Sequence, residues 1–416
     1  MTQAHRSTET ASAQHTSTDA AADAPAAPGP AATGAAGGTS TAAAASAKAA
    51  PKTAPGDASD RGHPASGRIS LGFVVNDIAT EQGNYTTIRL ARTAAKRGHR
   101  VVLIGLGDFT YDPSGSVCAR AHVLQRGDYA DDAAVLSELQ GEEAHVERIN
   151  VENLDVLMLR SDPAEELEDR PWAPNSSLLF AQLIAAKHVI VLNDPTHLTD
   201  AANKTYFQHF PEQLRPDTCI TLDPEEIKRF VKAHDGHAVI KPLQGSGGQS
   251  VFVVTPDSDA NLNQMIDAVI RDGYAIVQEY LPRAKDGDLR LLTLNGRPLQ
   301  VDGTYACIRR YSTTGDARSN VSAGGKYEAA VPDEDALNLA EIAAPKLMRD
   351  GMYFAGLDIV GDKMMEINVD TPGGINMIED LTGVDFSGYI IADLERKARL
   401  REQYGRTLSN CEMSML

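Results

Sequence analysis

The chain has 416 residues, 42% of them apolar, and a formal net charge of −18, enough material for two or three domains with real cores. The acidity argues against general binding to nucleic acid or anionic lipid, so an anionic substrate needs a local cluster of Arg and Lys. No apolar run approaches the roughly 20 residues that cross a bilayer. Cys118, Cys219, Cys307 and Cys411 form neither a C-x-x-C pair nor a disulfide framework, which fits a reducing cytoplasm.

Residues 1–66 are mostly Ala, Thr, Ser, Gly, Pro and Asp, with no aromatic residue. Such a segment buries too little apolar surface to offset its ordering entropy, and a disordered low-complexity tail is expected. A signal peptide is the rival reading, but no Leu-, Val- or Phe-rich core follows a basic start. "RISLGFVVND" (68–77) then reads as a buried strand, and "TTIRLARTAAKRG" (86–98) as a helix with a C-cap at Gly98. "HRVVLIGL", "LDVLMLRSDP" and "AAKHVIVLNDP" supply three more strands. Strands alternating with helices predict a parallel α/β domain over 67–195, with ligands beyond the carboxyl ends of its strands, where Asn76, Asp77 and Arg160 lie.

The second half changes character near Asn193 to Asp200. "HAVIKPLQGSGGQSVFVV" is strand, glycine-rich turn and strand. "YAIVQEYLP" is a strand with a Pro stop. "DLRLLTLNGRPLQVDGTYACIRR" is a hairpin turning at Asn295-Gly296, and "YFAGLDIVGDKMMEINVDTPGG" is another turning at Gly361-Asp362. A closing helix runs through "GYIIADLERKARLREQYG". This half is an antiparallel α+β unit over 196–400, divisible into 196–283 and 284–400, with 401–416 as a C-terminal tail.

In "EINVDTPGG", side chains alternate, so Glu366 and Asn368 share a face about 7 Å apart. The Gly361 turn makes Asp358 a cross-strand neighbour of Glu366. Two carboxylates and a carbonyl oxygen suit a hard cation such as magnesium, which completes its shell with water and substrate phosphates. A solvated polar sheet face is the plain alternative. The turn after Asn368 is expected to open a helix and to face the N–H groups of Gly373 and Gly374 toward a carboxylate.

Lys241, flanked by apolar strand residues, is costly to bury unpaired. A phosphate relieves that cost, and the turn through Gly245, Gly247 and Gly248 can present N–H groups to it. Such turns occur in many hairpins, and this one is not G-x-x-x-x-G-K-[ST]. Lys204 is a second phosphate candidate or an ordinary surface lysine. The strand through Gln278, Glu279, Tyr280 and Leu281 either lines an adenine edge or is an ordinary edge strand. "IRRYSTTGDARSNVSAGG" (308–325) reads as a cationic flap that closes over a phosphoryl centre, or as a surface loop.

Two lysines, a glycine-rich loop, a hinge strand, D-G-D-x-R, an Arg-rich flap and Asp…Glu-x-Asn occur here in the order of the ATP-grasp pattern. The folded part, 68–400, resembles bacterial-type glutathione synthetase. "LMLRSDP", "VIKPLQGSGG", "QEYLPRAKDGDLR", "ARSNVSAGG" and "GLDIVGDKMMEINV" carry the likeness. The resemblance implies an ATP-grasp fold after the N-terminal α/β domain. It implies Lys204 and Lys241 on the ATP phosphates, Gln278 to Leu281 around adenine and Asp288 near the ribose. It implies Asp358, Glu366 and Asn368 on magnesium or manganese, and Arg290, Arg310, Arg318 and Asn320 at the acyl-transfer site. Arg160 matches the arginine at the peptide-substrate end. The implied protein is a cytoplasmic homo-oligomer.

The implied reaction joins γ-glutamylcysteine to glycine with ATP, through an acyl phosphate. The sequence departs from the pattern in its N-terminal segment, in a longer stretch between Arg290 and the flap, and in "VDTPGGINMIED", where a Ser/Thr-Pro-Thr type of turn is usual. That last change bears on which acceptor is held. A related ligase with another amino acid or peptide, and an ATP-binding protein without turnover, are the alternatives.

Overall fold

The computed structural model describes residues 67–166, 170–201, 203–245, 250–312 and 325–416. The chain begins with β1 (Ser70–Val75), α1 (Thr86–Lys96), β2 (Arg100–Gly105), β3 (Phe109–Tyr111), β4 (Val117–Val123), α2 (Asp132–Gln140), β5 (Val146–Asn150), β6 (Val156–Leu159), α3 (Ala173–Ala185) and β7 (Ile190–Leu192). The apolar runs of β1, β2, β6 and β7 are buried almost throughout, as strands covered on both faces require. They pair in parallel, in the order β2-β1-β6-β7. The sequence reading did not include the other three strands, of which β3 and β5 are largely exposed and β4 is largely buried. β4 adds antiparallel to β2 and carries β3 and β5, so the sheet is mixed beyond its parallel core.

The middle segment holds α4 (Pro195–Asp200), β8 (Thr218–Thr221), α5 (Pro224–Ala233), β9 (Ala238–Pro242), β10 (Phe252–Val254), α6 (Leu262–Ile270) and β11 (Ala275–Glu279). Its antiparallel sheet runs β10-β9-β11-β8. Its own apolar core joins Ile227 and Val231 of α5, Ile266 and Val269 of α6, and Ile240 and Val277 of the sheet.

The remainder comprises β12 (Asp288–Leu294), β13 (Arg297–Pro298), β14 (Gln300–Val301), β15 (Thr304–Tyr305), β16 (Cys307–Tyr311), β17 (Lys326–Ala329), α7 (Glu334–Arg349), β18 (Phe354–Val360), β19 (Lys363–Asn368), α8 (Ile375–Thr382), α9 (Phe386–Tyr404) and α10 (Asn410–Met415). The sheet order is β17-β16-β12-β18-β19. The hairpin expected between Asp288 and Arg310 is interrupted. β12 pairs with β13 across the left-handed Asn295-Gly296 turn, and a second such turn, Asp302-Gly303, separates β14 from β15. β16 then returns to β12.

The stretch 401–416 is not a loose tail. It ends α9 and forms α10, whose Met413 and Ser414 are fully buried. The Asn410 side chain accepts from the Val191 N–H at 2.9 Å and donates to the Val191 carbonyl at 2.9 Å. α10 thereby continues the hydrogen bonding of the β7 backbone. Among the described residues no helix is long and apolar enough to cross a membrane.

Candidate active site

The strand order β16-β12-β18-β19 lines up charges. Arg290 of β12 sits opposite Asp358 of β18, and Asp358 sits opposite Glu366 of β19. Direct cross-strand partners share a face, so the expected Asp358–Glu366 neighbourhood follows from the register. Arg290 bonds both Asp358 oxygens, Nε to Oδ1 at 2.5 Å and Nη2 to Oδ2 at 2.7 Å. Arg310 Nη2 reaches the same Oδ2 at 3.0 Å, and Asn368 Nδ2 donates to it at 3.1 Å. Burial would raise the Asp358 carboxyl, but the two guanidinium groups outweigh it and hold the pKa at about 2.

Glu366 is freer. Its side chain is 38% exposed, and its ion-pair partner among the described residues is Lys204, at 3.9 Å. The donors on this face are hard oxygens, as a magnesium site needs. Arginines already use both Asp358 oxygens, so the Glu366 carboxylate and the Asn368 carbonyl are the donors left to lead in holding a cation.

Arg310 belongs to both the expected hairpin and the expected cationic flap. It lies inside β16 and is 6% exposed. Its Nε donates to Asp288 Oδ2 at 3.1 Å, and its Nη2 also bonds that oxygen. Asp288, implied at a ribose, therefore faces an arginine. Gly287 lets β12 come this close. It has φ +96°, and a Cβ there would stand 2.1 Å from the Arg310 carbonyl oxygen. Gly287→Ala should destabilise the protein by more than about 2 kcal/mol, read by denaturant melts, because backbone rather than a flexible side chain blocks the methyl.

Lys241 lies on β9 opposite Ile276 of β11. Burial, reinforced by the charge of Lys204, pushes its pKa down to about 8 against the pull of Glu366 and Asp358. Its field therefore reaches the β18–β19 face. Lys204 is tied to the same segment by its backbone N–H, which donates to the Leu243 carbonyl at 3.3 Å. Gly245 takes φ +140° in the turn after β9. Gln278, 5% exposed, hydrogen-bonds Thr218 Oγ1 at 3.3 Å. Glu279, Tyr280 and Leu281 continue β11 as half-buried residues. Gly247, Gly248, Arg318 and Asn320 lie outside the described residues, as do residues 1–66 and 313–324 of the flap.

A second locus lies at the carboxyl ends of β1 and β6. Arg160, just past β6, is 5% exposed. Its Nε donates to Thr87 Oγ1 at 3.2 Å and its Nη2 to the Pro372 carbonyl at 2.9 Å, which brings it against the turn after β19. Burial lowers its pKa to about 10. The N–H of Gly374 was expected to face a carboxylate. It donates instead to Thr86 Oγ1 at 3.1 Å, and Ile375 N shares that oxygen at 3.3 Å. Beside Gly373 the space is open.

Sequence reasoning missed four residues here. Glu81 is 8% exposed near Arg160, and burial drives its pKa up to about 7. Thr86 and Thr87 read only as a helix start. Asn193 clamps the end of β7 to β18 and β19: it donates to the Phe354 and Val369 carbonyls at 2.9 and 2.5 Å and accepts from Phe354 N at 2.8 Å. The polar pair Asn193-Asp194 at a strand end was its signal in the sequence.

Residues 69–199 match the family described as prokaryotic glutathione synthetase, N-terminal domain, and residues 203–383 match prokaryotic glutathione synthetase, ATP-grasp domain. The chain is 30% identical over 338 residues to a glutathione synthetase of Vibrio parahaemolyticus, spanning 80% of this chain and 99% of that protein. It is 30% identical over 343 residues to a glutathione synthetase of Escherichia coli, spanning 80% and 100%. Among solved structures it is similar in fold to the D-cycloserine synthetase DcsG, with a TM-score of 0.54 at 14% identity, covering 78% of this chain and 100% of that one.

Proposed function

The chain belongs to the prokaryotic glutathione synthetase family and is an ATP-grasp ligase, and on that footing we propose that it joins γ-glutamylcysteine to glycine. The observation that carries this reading is the single face on which Arg290, Arg310, Asp358, Glu366 and Asn368 converge, with Lys204 at its edge. A carboxylate resists attack by an amine in water, so the carboxyl of the peptide is first phosphorylated by ATP. The glycine nitrogen then attacks, and phosphate leaves.

Each residue has a task in that scheme. Lys204 and Lys241 hold phosphates, and Gly245 with its neighbours Gly247 and Gly248 cradles them. Phosphate contact restores full charge to Lys241, whose burial otherwise favours the neutral amine. Gln278 to Leu281 frame the adenine. Glu366, Asn368 and Asp358 hold magnesium or manganese, which when bound neutralises phosphoryl oxygens. Arg290 and Arg310, with Arg318 and Asn320, spread charge at the transferring group. Arg160, Gly373 and Gly374 border the peptide substrate. The protein contributes placement and charge rather than a nucleophile.

Purified protein given ATP, magnesium, γ-glutamylcysteine and glycine should release phosphate and yield glutathione by mass. Omitting either organic substrate should stop release. Product with a different amine, and none with glycine, would favour a second reading. The Asp370–Gly374 turn favours that reading because its sequence departs from the Ser/Thr-Pro-Thr type of turn usual in the family. Deleting residues 2–64 should leave kcat/KM within about twofold, under roughly 0.5 kcal/mol. A hundredfold loss would show that this segment serves the site.

A further inference from the structure

Lys204 brings its charge to the edge of the β18–β19 face, 3.9 Å from Glu366, yet the segment that holds it has little strength of its own. It opens a 3-10 helix of 6 residues, Lys204–His209. That is long for a helix whose hydrogen bonds are poorly aligned, so outside contacts must hold it. At its start the Asn203 side chain accepts from Thr205 N at 2.9 Å. The stronger hold comes from Tyr206, which is 3% exposed and whose hydroxyl donates to Asp350 Oδ2 at 2.9 Å. Successive residues of a 3-10 helix leave its axis roughly 120° apart. With Tyr206 fixed inward, the direction in which Lys204 leaves the helix is fixed too.

Asp350 is an unexpected residue where it stands. It caps the C-terminus of α7 and is 1% exposed. Burial disfavours its charge, and so does the negative end of the helix dipole. Gly or Asn commonly ends a helix without either cost. Burial alone would raise the Asp350 carboxyl, but hydrogen bonds from Lys346 and Tyr206 outweigh it and hold it below the usual carboxylate range. Lys346 Nζ bonds the same oxygen as Tyr206, and Arg349 Nε meets Oδ1 at 3.2 Å. The Lys346 ammonium also stands over the Tyr206 ring, 4.7 Å from its centroid. The anchor is itself tied down, because the carbonyl of the next residue, Gly351, accepts from Asp194 N at 3.1 Å.

We infer that Tyr206 and Asp350 are positioning residues for Lys204: their buried hydroxyl–carboxylate bond sets the rotation of the 3-10 helix and aims the lysine at the β18–β19 face. The inference rests on the proposed placing of Lys204 at the ATP phosphates. A lysine stem is long and flexible. A fixed base narrows the volume its ammonium samples and lowers the ordering cost of meeting a phosphate.

Calorimetry of ATP binding to the full chain with magnesium tests this without turnover, in two backgrounds. Tyr206→Phe keeps the ring and removes the hydroxyl. In the wild-type background it should weaken ATP at least about fivefold. Lys204→Met should weaken ATP at least about tenfold. Adding Tyr206→Phe to Lys204→Met should then weaken it less than about twofold further, because residues that act as a unit are not additive. Asp350→Asn keeps the shape, removes the charge and should show the same dependence on Lys204.

An equal loss in both backgrounds would make the pair ordinary packing and overturn the inference. Full ATP affinity in Tyr206→Phe, or in Lys204→Met, would overturn it as well. If Tyr206→Phe fails to fold, Asp350→Asn decides on the same comparison. A Lys204-dependent loss without turnover on γ-glutamylcysteine and glycine would sink the ligase reading and leave the positioning pair standing. Turnover with equal losses would do the reverse.

Discussion

Glu366→Gln should lower kcat/KM by at least about a hundredfold, nearly 3 kcal/mol of transition-state stabilisation. The substitution keeps the shape and removes the charge. The structure gives it more weight than its neighbour across the sheet. Asp358 is buried and already accepts from Arg290, Arg310 and Asn368, so little of its charge is left for a cation. Glu366 faces solvent at one edge, with Lys204 at 3.9 Å. The loss should shrink as magnesium is raised, because a weakened site fills by mass action. Near-normal kinetics at limiting magnesium would remove Glu366 from the metal site.

The legible parts of the fold were those where one signal dominated. The apolar runs of β1, β2, β6 and β7 had no competing pattern, and their strands follow. In the β18–β19 hairpin, period-two alternation and a glycine at the turn made Asp358 and Glu366 rough cross-strand neighbours, and a register shift between Asp358 and Ile359, with no signal in the spacing, sets them directly opposite. β3 and β5 could not be read that way. Exposed and polar residues fill them, and pairing to β4 holds them in the sheet rather than their own sequence.

The burial of Arg310 was missed for a related reason. The hairpin reading carried a strand through Arg310, but the polar composition from Ser312 onward hid its burial, and the contact that pins it, Gly287 against its carbonyl, comes from the residue just before β12. Glu81 had no signal at all. A lone acid after a short turn is ordinary in sequence, and only the fold brings it into the field of Arg160.

Several groups at the two loci are held away from their preferred state. Lys241 is pushed toward neutrality, and Glu81 toward protonation. Each costs the empty protein stability that a bound ligand of opposite charge returns. For Glu81 the sign is explicit. Its folded pKa lies above the ordinary glutamate value of 4.5, so the folded state binds more protons between about pH 4.5 and 7, and stability falls as pH rises through that window.

Arg310→Lys should cut kcat by about a hundredfold or more, close to 2.7 kcal/mol, while ATP affinity measured directly moves less than about threefold, some 0.65 kcal/mol. The guanidinium joins two buried carboxylates at once, Asp288 through Nε and Nη2 and Asp358 through Nη2 at 3.0 Å. Those bonds fix where its remaining N–H groups point. A lysine keeps the buried positive charge but lacks the planar fork. The fold should therefore survive, with a melting shift under about 4 °C, whereas Arg310→Ala would take a buried positive charge from beside Asp288 and Asp358 and cost about 3–5 kcal/mol. If Arg310 acts on the transferring phosphoryl group, its contribution arises mainly in the transition state, and its loss appears in kcat rather than in ground-state binding. Single-turnover chemistry should slow in step with kcat. Loss of ATP binding with an unchanged single-turnover rate would make Arg310 a nucleotide-holding residue and remove it from the transfer step.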